Sequence, residues 1–444
     1  MSLPQTNRKL NLLQATSINM IDMVGIGPFV VMPIVVSQFH NGLFLWAWLF
    51  GAFAAVVDAM IWSELGAKYP LAGGTYNFHR IAFGEKGGRL MSFLFVWQTA
   101  IQAPLVVASG AIGFAQYLSY LVDLNLLQQK LISGGLVILV FFLLFRKIET
   151  IGKISVALWS VVVLTVLWII LSGLTHQQHS IPFFTKGNDS FFSYAFWAAI
   201  GQGSVKTIYS YLGYYNVCHL GGEIKKPEKN IPRSIFISIG GIAILYLLMN
   251  ISVMGVVPWQ SVKEDDKYLV STFMEQVYGH RAGIIITILI LWIAMASLFA
   301  VVLGYSRVPY AAAVDGNFFK IFSKLHPTKE FPYVSLIVLC GLGFIFSLLF
   351  KLADVINSIL AMRILVQFIG QAVGIVLLRK HFGTKDLPFK MWLYPLPVIL
   401  SIGIWLFIFV STGGFAFWGS SIAVIGIAVY FITKRFQENQ QLLI

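Results

Sequence analysis

The sequence predicts an all-α integral membrane protein with twelve transmembrane helices, and three observations carry that prediction. The first is composition: 58% of the 444 residues are hydrophobic and 11% charged, and a mean hydropathy of +0.80 is far more apolar than a water-covered surface allows. The second is length, because twelve apolar segments approach the roughly 20 residues that a bilayer core about 30 Å thick requires. The third is charge placement. A net charge of +13 would suit a nucleic-acid partner if the basic residues formed one stripe, but they are scattered over short loops, which argues against that partner and for a topology signal.

The segments lie near 10–38, 41–66, 84–120, 129–145, 150–173, 191–222, 233–257, 279–312, 332–350, 354–380, 391–411 and 414–435. Before the first, the polar stretch MSLPQTNRKLNLLQ carries no small-residue cleavage pattern and reads as a retained cytoplasmic tail. The basic residues at 8–9, 68–89, 146–153, 225–233, 320–329, 379–390 and 434–435 then fall on one side, and Lys130, Lys186, Lys263, Lys267, Arg281 and Lys351 on the other. By the positive-inside rule both termini are cytoplasmic. The longest polar connections, 174–190 and 258–280, are too short to bury a core of their own. Cys218 and Cys340 sit inside apolar stretches and read as small buried hydrophobes, not as a disulfide framework.

The first span, SINMIDMVGIGPFVVMPIVV, is interrupted where a helix is least able to tolerate it. A helix that breaks inside hydrocarbon must turn its freed backbone groups toward protein, a cavity or a ligand. Glycine permits close approach to the backbone, and Pro28 removes an amide and clashes with the carbonyl four residues earlier. The freed amides near Gly25, Ile26 and Gly27 would begin the outer half-helix, whose positive dipole end suits a carboxylate; carbonyls near Met23 and Val24 suit an ammonium group. A kink that only aids packing explains this segment equally well by itself. A second interrupted span, GQGSVKTIYSYLGYYNVCHLGG from residue 201, has glycines at 201, 203 and 213 and crowds Tyr209, Tyr211, Tyr214 and Tyr215 about its break. Breaks in spans one and six suggest an inverted repeat with a substrate held between them.

These residues resemble the amino acid-polyamine-organocation superfamily of transporters over nearly the whole chain. GIGPF resembles its first-helix glycine motif, GGEIKKPEKNIPRSI its signature after helix six, and YSRVPYAAAVDGNFFKIFSKLHPTKEFPYVSL its helix-eight ending and following loop. The resemblance implies a leucine-transporter-like fold in one transmembrane domain, with helices 1–5 (10–173) and 6–10 (191–380) as inverted repeats and helices 11 and 12 (391–435) outside them. It implies an α-carboxylate on the amides of Gly25, Ile26 and Gly27 and an α-ammonium on carbonyls of Met23, Tyr209 and Leu212. Tyr209 would cover the substrate as a gate, while Ser210, Tyr211, Gly213 and Tyr214 would line the pocket or hinge.

The sequence departs from the family where coupling is concerned. Helix five, SVALWSVVVLTVLW, lacks the lysine that many members carry there, so a coupling ion, H⁺ or Na⁺, cannot be carried over and exchange stays open. Lys206, Asp22 and Asp58 are the coupling or gating candidates, because ionisable groups inside a membrane are costly, by about 2.5–3.5 kcal/mol on insertion scales. Lys206 would bind the substrate, pair with Asp22 or snorkel outward; Asp22 would take a proton or cap the inner half-helix; Asp58 would take a proton or, the favoured reading, pair structurally. Arg363, Gln367 and Gln371 form a polar stripe at helical spacing that faces the inner vestibule or braces the cytoplasmic end. Glu223 and the lysines after it form either an ion-pair network or an inner gate.

Other function classes find less in the residues. No compact catalytic set is visible, His176 and His179 lack companion ligands for a metal, no phosphate-binding loop of the G-x-x-x-x-G-K-[ST] type occurs, and no cofactor is called for. The sequence therefore predicts a secondary amino acid transporter in a bacterial cytoplasmic membrane, surrounded by lipid. A polyamine transporter and a non-transporting amino acid receptor are the alternatives. Its cargo is expected to be a neutral amino acid, because Ile26 and the surrounding aromatics offer no cluster of charge for a charged side chain.

Overall fold

The computed structural model describes residues 8–39, 42–183 and 193–441. Lys186 and the first two residues of the 191–222 segment lie outside these. Among the described residues the regular structure is helical. The first half comprises α1 (Leu12–Met23), α2 (Gly27–Ser37), α3 (Leu45–Lys68), α4 (Thr75–Ala82), α5 (Gly84–Leu118), α6 (Leu126–Leu144) and α7 (Ile148–Thr175). The second half continues with α8 (Tyr194–Tyr211), α9 (Asn216–His219), α10 (Pro227–Met254), α11 (Leu269–Tyr278), α12 (His280–Tyr305) and α13 (Arg307–Val314). After these come α14 (Tyr333–Leu349), α15 (Leu352–Arg363), α16 (Gly370–Phe382), α17 (Leu396–Ser411) and α18 (Gly414–Gln441).

Among the described residues, eight helical stretches are long and apolar enough to cross a membrane: α3, α5, α6, α7, α10, α12 with α13, most of α15 with α16, and α18. The bent pair α1 and α2, turned by 45°, qualifies when taken together, and α14 and α17 are shorter apolar helices. The segment expected near 191–222 does not run through. Its helix α8 stops at Tyr211, and Gln202, Lys206, Thr207 and Ser210 make it more polar than the other spans. The short helices α4 and α11 occupy stretches that hydropathy assigns to connections.

Local signals explain where these helices begin. Asn11 caps α1 by accepting from the Gln14 amide while the Gln14 side chain returns to the Asn11 amide, and Asn125 and Gln128 repeat this reciprocal cap at α6. Pro227 and Pro28 sit in first turns, where a missing amide is tolerated. α1 packs against α10, α7 and α12, and α8 against α3, α2 and α17. The two interrupted helices therefore lie inside the bundle. α6 and α18 are peripheral, and exposed Phe142, Leu139, Phe417, Trp418 and Val424 give them an apolar outer surface suited to lipid.

Candidate functional site

The two breaks face each other at the centre of the bundle. At the first, the Val24 amide still reaches Met20 O at 2.8 Å, and the Gly25 amide turns back to Met23 O at 3.1 Å. With Pro28 in the first turn of α2, the amides of Ile26 and Gly27 donate to no protein group among the described residues. Two free donors thus stand at a helix N-terminus, where the backbone dipole attracts an anion. Gly25, expected to be a third donor, is already engaged.

At the second break α8 ends at Tyr211, Leu212 turns to extended backbone with ψ 146°, and Gly213 takes φ +120°. That conformation favours glycine. The carbonyls of Tyr209 and Leu212 accept nothing among the described residues, so the second break has free acceptors where the first has free donors. Space confirms how close the two come. A Cβ on Gly27 would lie 3.1 Å from Tyr209 Cε1, and one on Gly213 would lie 2.8 Å from Asp22 Cγ.

Four side chains that sequence reasoning missed hold the breaks in place. Asn19, one turn before Asp22 on α1, donates to Tyr214 O at 2.7 Å and accepts from the Val217 amide at 2.9 Å. Asn216 donates to Asp22 Oδ2 at 2.7 Å and to Ala300 O at 2.8 Å. The Tyr246 hydroxyl lies 2.8 Å from Met23 O and 3.1 Å from Ser210 O, bridging both breaks, and Ser297 Oγ donates to Asp22 O. Asn19 and Asn216 were legible as polar residues beside the breaks. Nothing in the sequence around Tyr246 sets it apart.

A cavity of about 50 Å³ lies between the breaks, lined by Asp22, Met23, Gly25, Ile26, Gly27, Tyr209, Ser210, Leu212 and Gly213, and also by Tyr215 and Arg363. Tyr209 bonds through its hydroxyl to Ser109 Oγ at 2.9 Å and packs on Leu105, Val355 and Ile359.

Other expected residues are placed elsewhere. Tyr214 does not line the cavity: its hydroxyl donates to Asp58 Oδ2 at 2.5 Å. Asp58 also accepts from Trp62, Ser401 and Trp405, so it joins α3, α17 and the second break as a packing hub outside the cavity lining. Tyr211 turns away as well, onto Trp48 and Tyr246. Lys206 does not pair with Asp22. It donates to Asn357 Oδ1 at 2.8 Å and lines a separate cavity of about 380 Å³ together with Glu264, Asp265, Lys267 and Lys351. The polar stripe also divides, because a π-helical turn, Ile364–Ile369, follows Arg363. Arg363 enters the central cavity, while Gln371 accepts from Thr75 at 2.8 Å.

At the end carrying most basic loops, main-chain bonds and ion pairs tie the elements together. The Lys9 and Leu10 amides donate to Glu223 O and the Lys225 amide to Leu10 O, pinning the start of the chain against the loop after α9. Glu223 is paired with Arg307 at 3.2 Å in a buried site, and Glu64 with Arg379 through both Nε and Nη2. Among the described residues no cluster of three metal-ligating side chains occurs.

Apolar spanning helices around a small, partly polar cavity fit a multi-pass membrane protein of the permease type. The family model for amino acid permeases matches residues 10–433, and the chain belongs to that family, within the amino acid-polyamine-organocation superfamily. It is a transporter, not an enzyme. Among curated relatives it is similar to the serine/threonine exchanger SteT of Bacillus subtilis, 25% identical over 91% of each chain. It is also similar to the branched-chain amino acid permease BcaP of the same organism, 24% identical over 96% of this chain and 93% of the relative. The human cystine/glutamate transporter is 26% identical over 89% of this chain and 79% of its own.

Proposed function

We propose that this chain is a secondary transporter that moves amino acids across the bacterial cytoplasmic membrane by alternating access around the cavity between its two breaks. One observation carries the reading: free amides of Ile26 and Gly27 stand opposite free carbonyls of Tyr209 and Leu212 across one small cavity. That is the polarity an α-amino acid presents, with its carboxylate on the helix N-terminus and its ammonium on the carbonyls. In this reading 10–173 and 191–380 are inverted repeats, 391–435 lies outside them, both termini are cytoplasmic, and the driving force is a proton gradient or exchange.

The names of the relatives span hydroxylated, branched and cystine/glutamate cargo, so they support an amino acid without selecting one. The expectation of a neutral side chain rested on the absence of a charged group for it. Arg363 in the cavity lining removes that premise and also disfavours a polyamine. Uptake of labelled amino acids and spermidine into proteoliposomes, with imposed proton or sodium gradients and with preloaded substrate, tests the reading. Saturable amino acid uptake is expected; binding without uptake would make the protein a receptor.

A further inference from the structure

Among the described residues, the guanidinium of Arg363 is a buried charge with two unpartnered nitrogens. The residue is 1% exposed and lines the central cavity. Its Nη1 donates to the Tyr215 hydroxyl, but Nε and Nη2 have no partner, and no carboxylate lies within ion-pair distance among the described residues. Asp22, the single carboxylate in the same lining, is held by Asn216. The rings of Tyr305 and Tyr215, 5.2 and 5.8 Å from the guanidinium carbon, offset part of the cost of burying a cation. Such contacts offset only a fraction of the desolvation penalty of a buried cation.

The open edge has a defined shape. Buried Arg307 and half-buried Arg379 present Nε and Nη2 side by side to the carboxylates of Glu223 and Glu64. Arg363 leaves that same edge without a protein partner, in a residue that lines the cavity of the proposed substrate site. A planar fork of two parallel donors fits a carboxylate in bidentate fashion.

Resting on the permease reading above, we propose that the cargo is an acidic amino acid whose side-chain carboxylate is received by the Nε and Nη2 edge of Arg363. The α-carboxylate keeps the Ile26 and Gly27 amides and the α-ammonium the Tyr209 and Leu212 carbonyls, so each charge of a dicarboxylic amino acid has its own partner. The separate, lysine-lined cavity agrees in sign. Lys130, Lys206, Lys267 and Lys351 line it against Glu264 and Asp265, and a positively lined mouth concentrates anions.

The test measures uptake of labelled aspartate and glutamate against asparagine, glutamine and serine in proteoliposomes, for the native chain and for Arg363→Gln. The native chain is expected to prefer the acids. The variant should lower glutamate uptake relative to glutamine by about thirtyfold or more, the order expected when one partner of a buried charge pair is lost. Competition of unlabelled glutamate and glutamine for the native chain gives the same ratio without a variant. Uptake of neutral amino acids that the acids fail to inhibit would overturn this proposal and leave the permease reading standing. So would an unchanged preference in Arg363→Gln. Absence of uptake or binding for every amino acid would overturn both.

Discussion

At the scale of single residues, the two breaks depend on positions where a side chain cannot be added cheaply. Gly213 has φ +120° and its missing Cβ points at the Asp22 side chain. Gly213→Ala should therefore cost about 1–3 kcal/mol of stability from backbone strain and displace Asp22 from the cavity. Thermal unfolding in detergent should fall, and the affinity for the transported amino acid should fall with it. Asp58 has a different role from the one its charge suggests. Because it accepts from Trp62, Tyr214, Ser401 and Trp405, Asp58→Ala would orphan several buried donors, each at a cost of about 1–3 kcal/mol. The expected outcome is loss of folded protein on size-exclusion chromatography, not a changed ion dependence in protein that still folds.

At the scale of elements, the first break was legible because glycine and proline act through the backbone itself, and Gly25, Gly27 and Pro28 state the interruption wherever the helix packs. The second was legible from Gly213 and its flanking tyrosines. The roles of Tyr211 and Tyr214 were not, since which way a ring points out of an unwound segment depends on partners such as Trp48 and Asp58 that are distant in sequence. Lys206 lies three residues before Tyr209, and a rise of about 1.5 Å per residue carries its long stem into the separate, lysine-lined cavity instead of to Asp22. Arg363 was misplaced for a reason of geometry. A stripe at 363, 367 and 371 shares one face of a continuous α-helix, but the π turn over Ile364–Ile369 inserts an extra residue and turns the following side chains to another face. The buried Glu223 and Arg307 pair closes the loop after α9. Glu223→Gln leaves that arginine uncompensated, so in a Cys340→Ser background Cys218 should react faster with a thiol reagent added from the side of the basic loops.

At the scale of the whole molecule, composition and charge placement were enough to read a membrane bundle, because hydrocarbon demands helices with internally satisfied backbones. Which helices carry the cavity followed from the breaks. What ties the basic end together followed only in part: Glu223 reads as an ion-pair or gate residue, but the bonds that join the chain start at Lys9 and Leu10 to Glu223 and Lys225 are main-chain bonds that any residues could make. In the proposed mechanism these contacts part while the breaks keep their hold on the substrate. The central claim is that an amino acid lies between the breaks with its α-carboxylate on the Ile26 and Gly27 amides. The most direct measurement is equilibrium binding of the transported amino acid to purified Gly27→Leu, with folding checked by its thermal unfolding. A leucine there must enter space occupied by Tyr209 and Ser210, so the account predicts a folded protein with no detectable binding. Native affinity in that variant would contradict it.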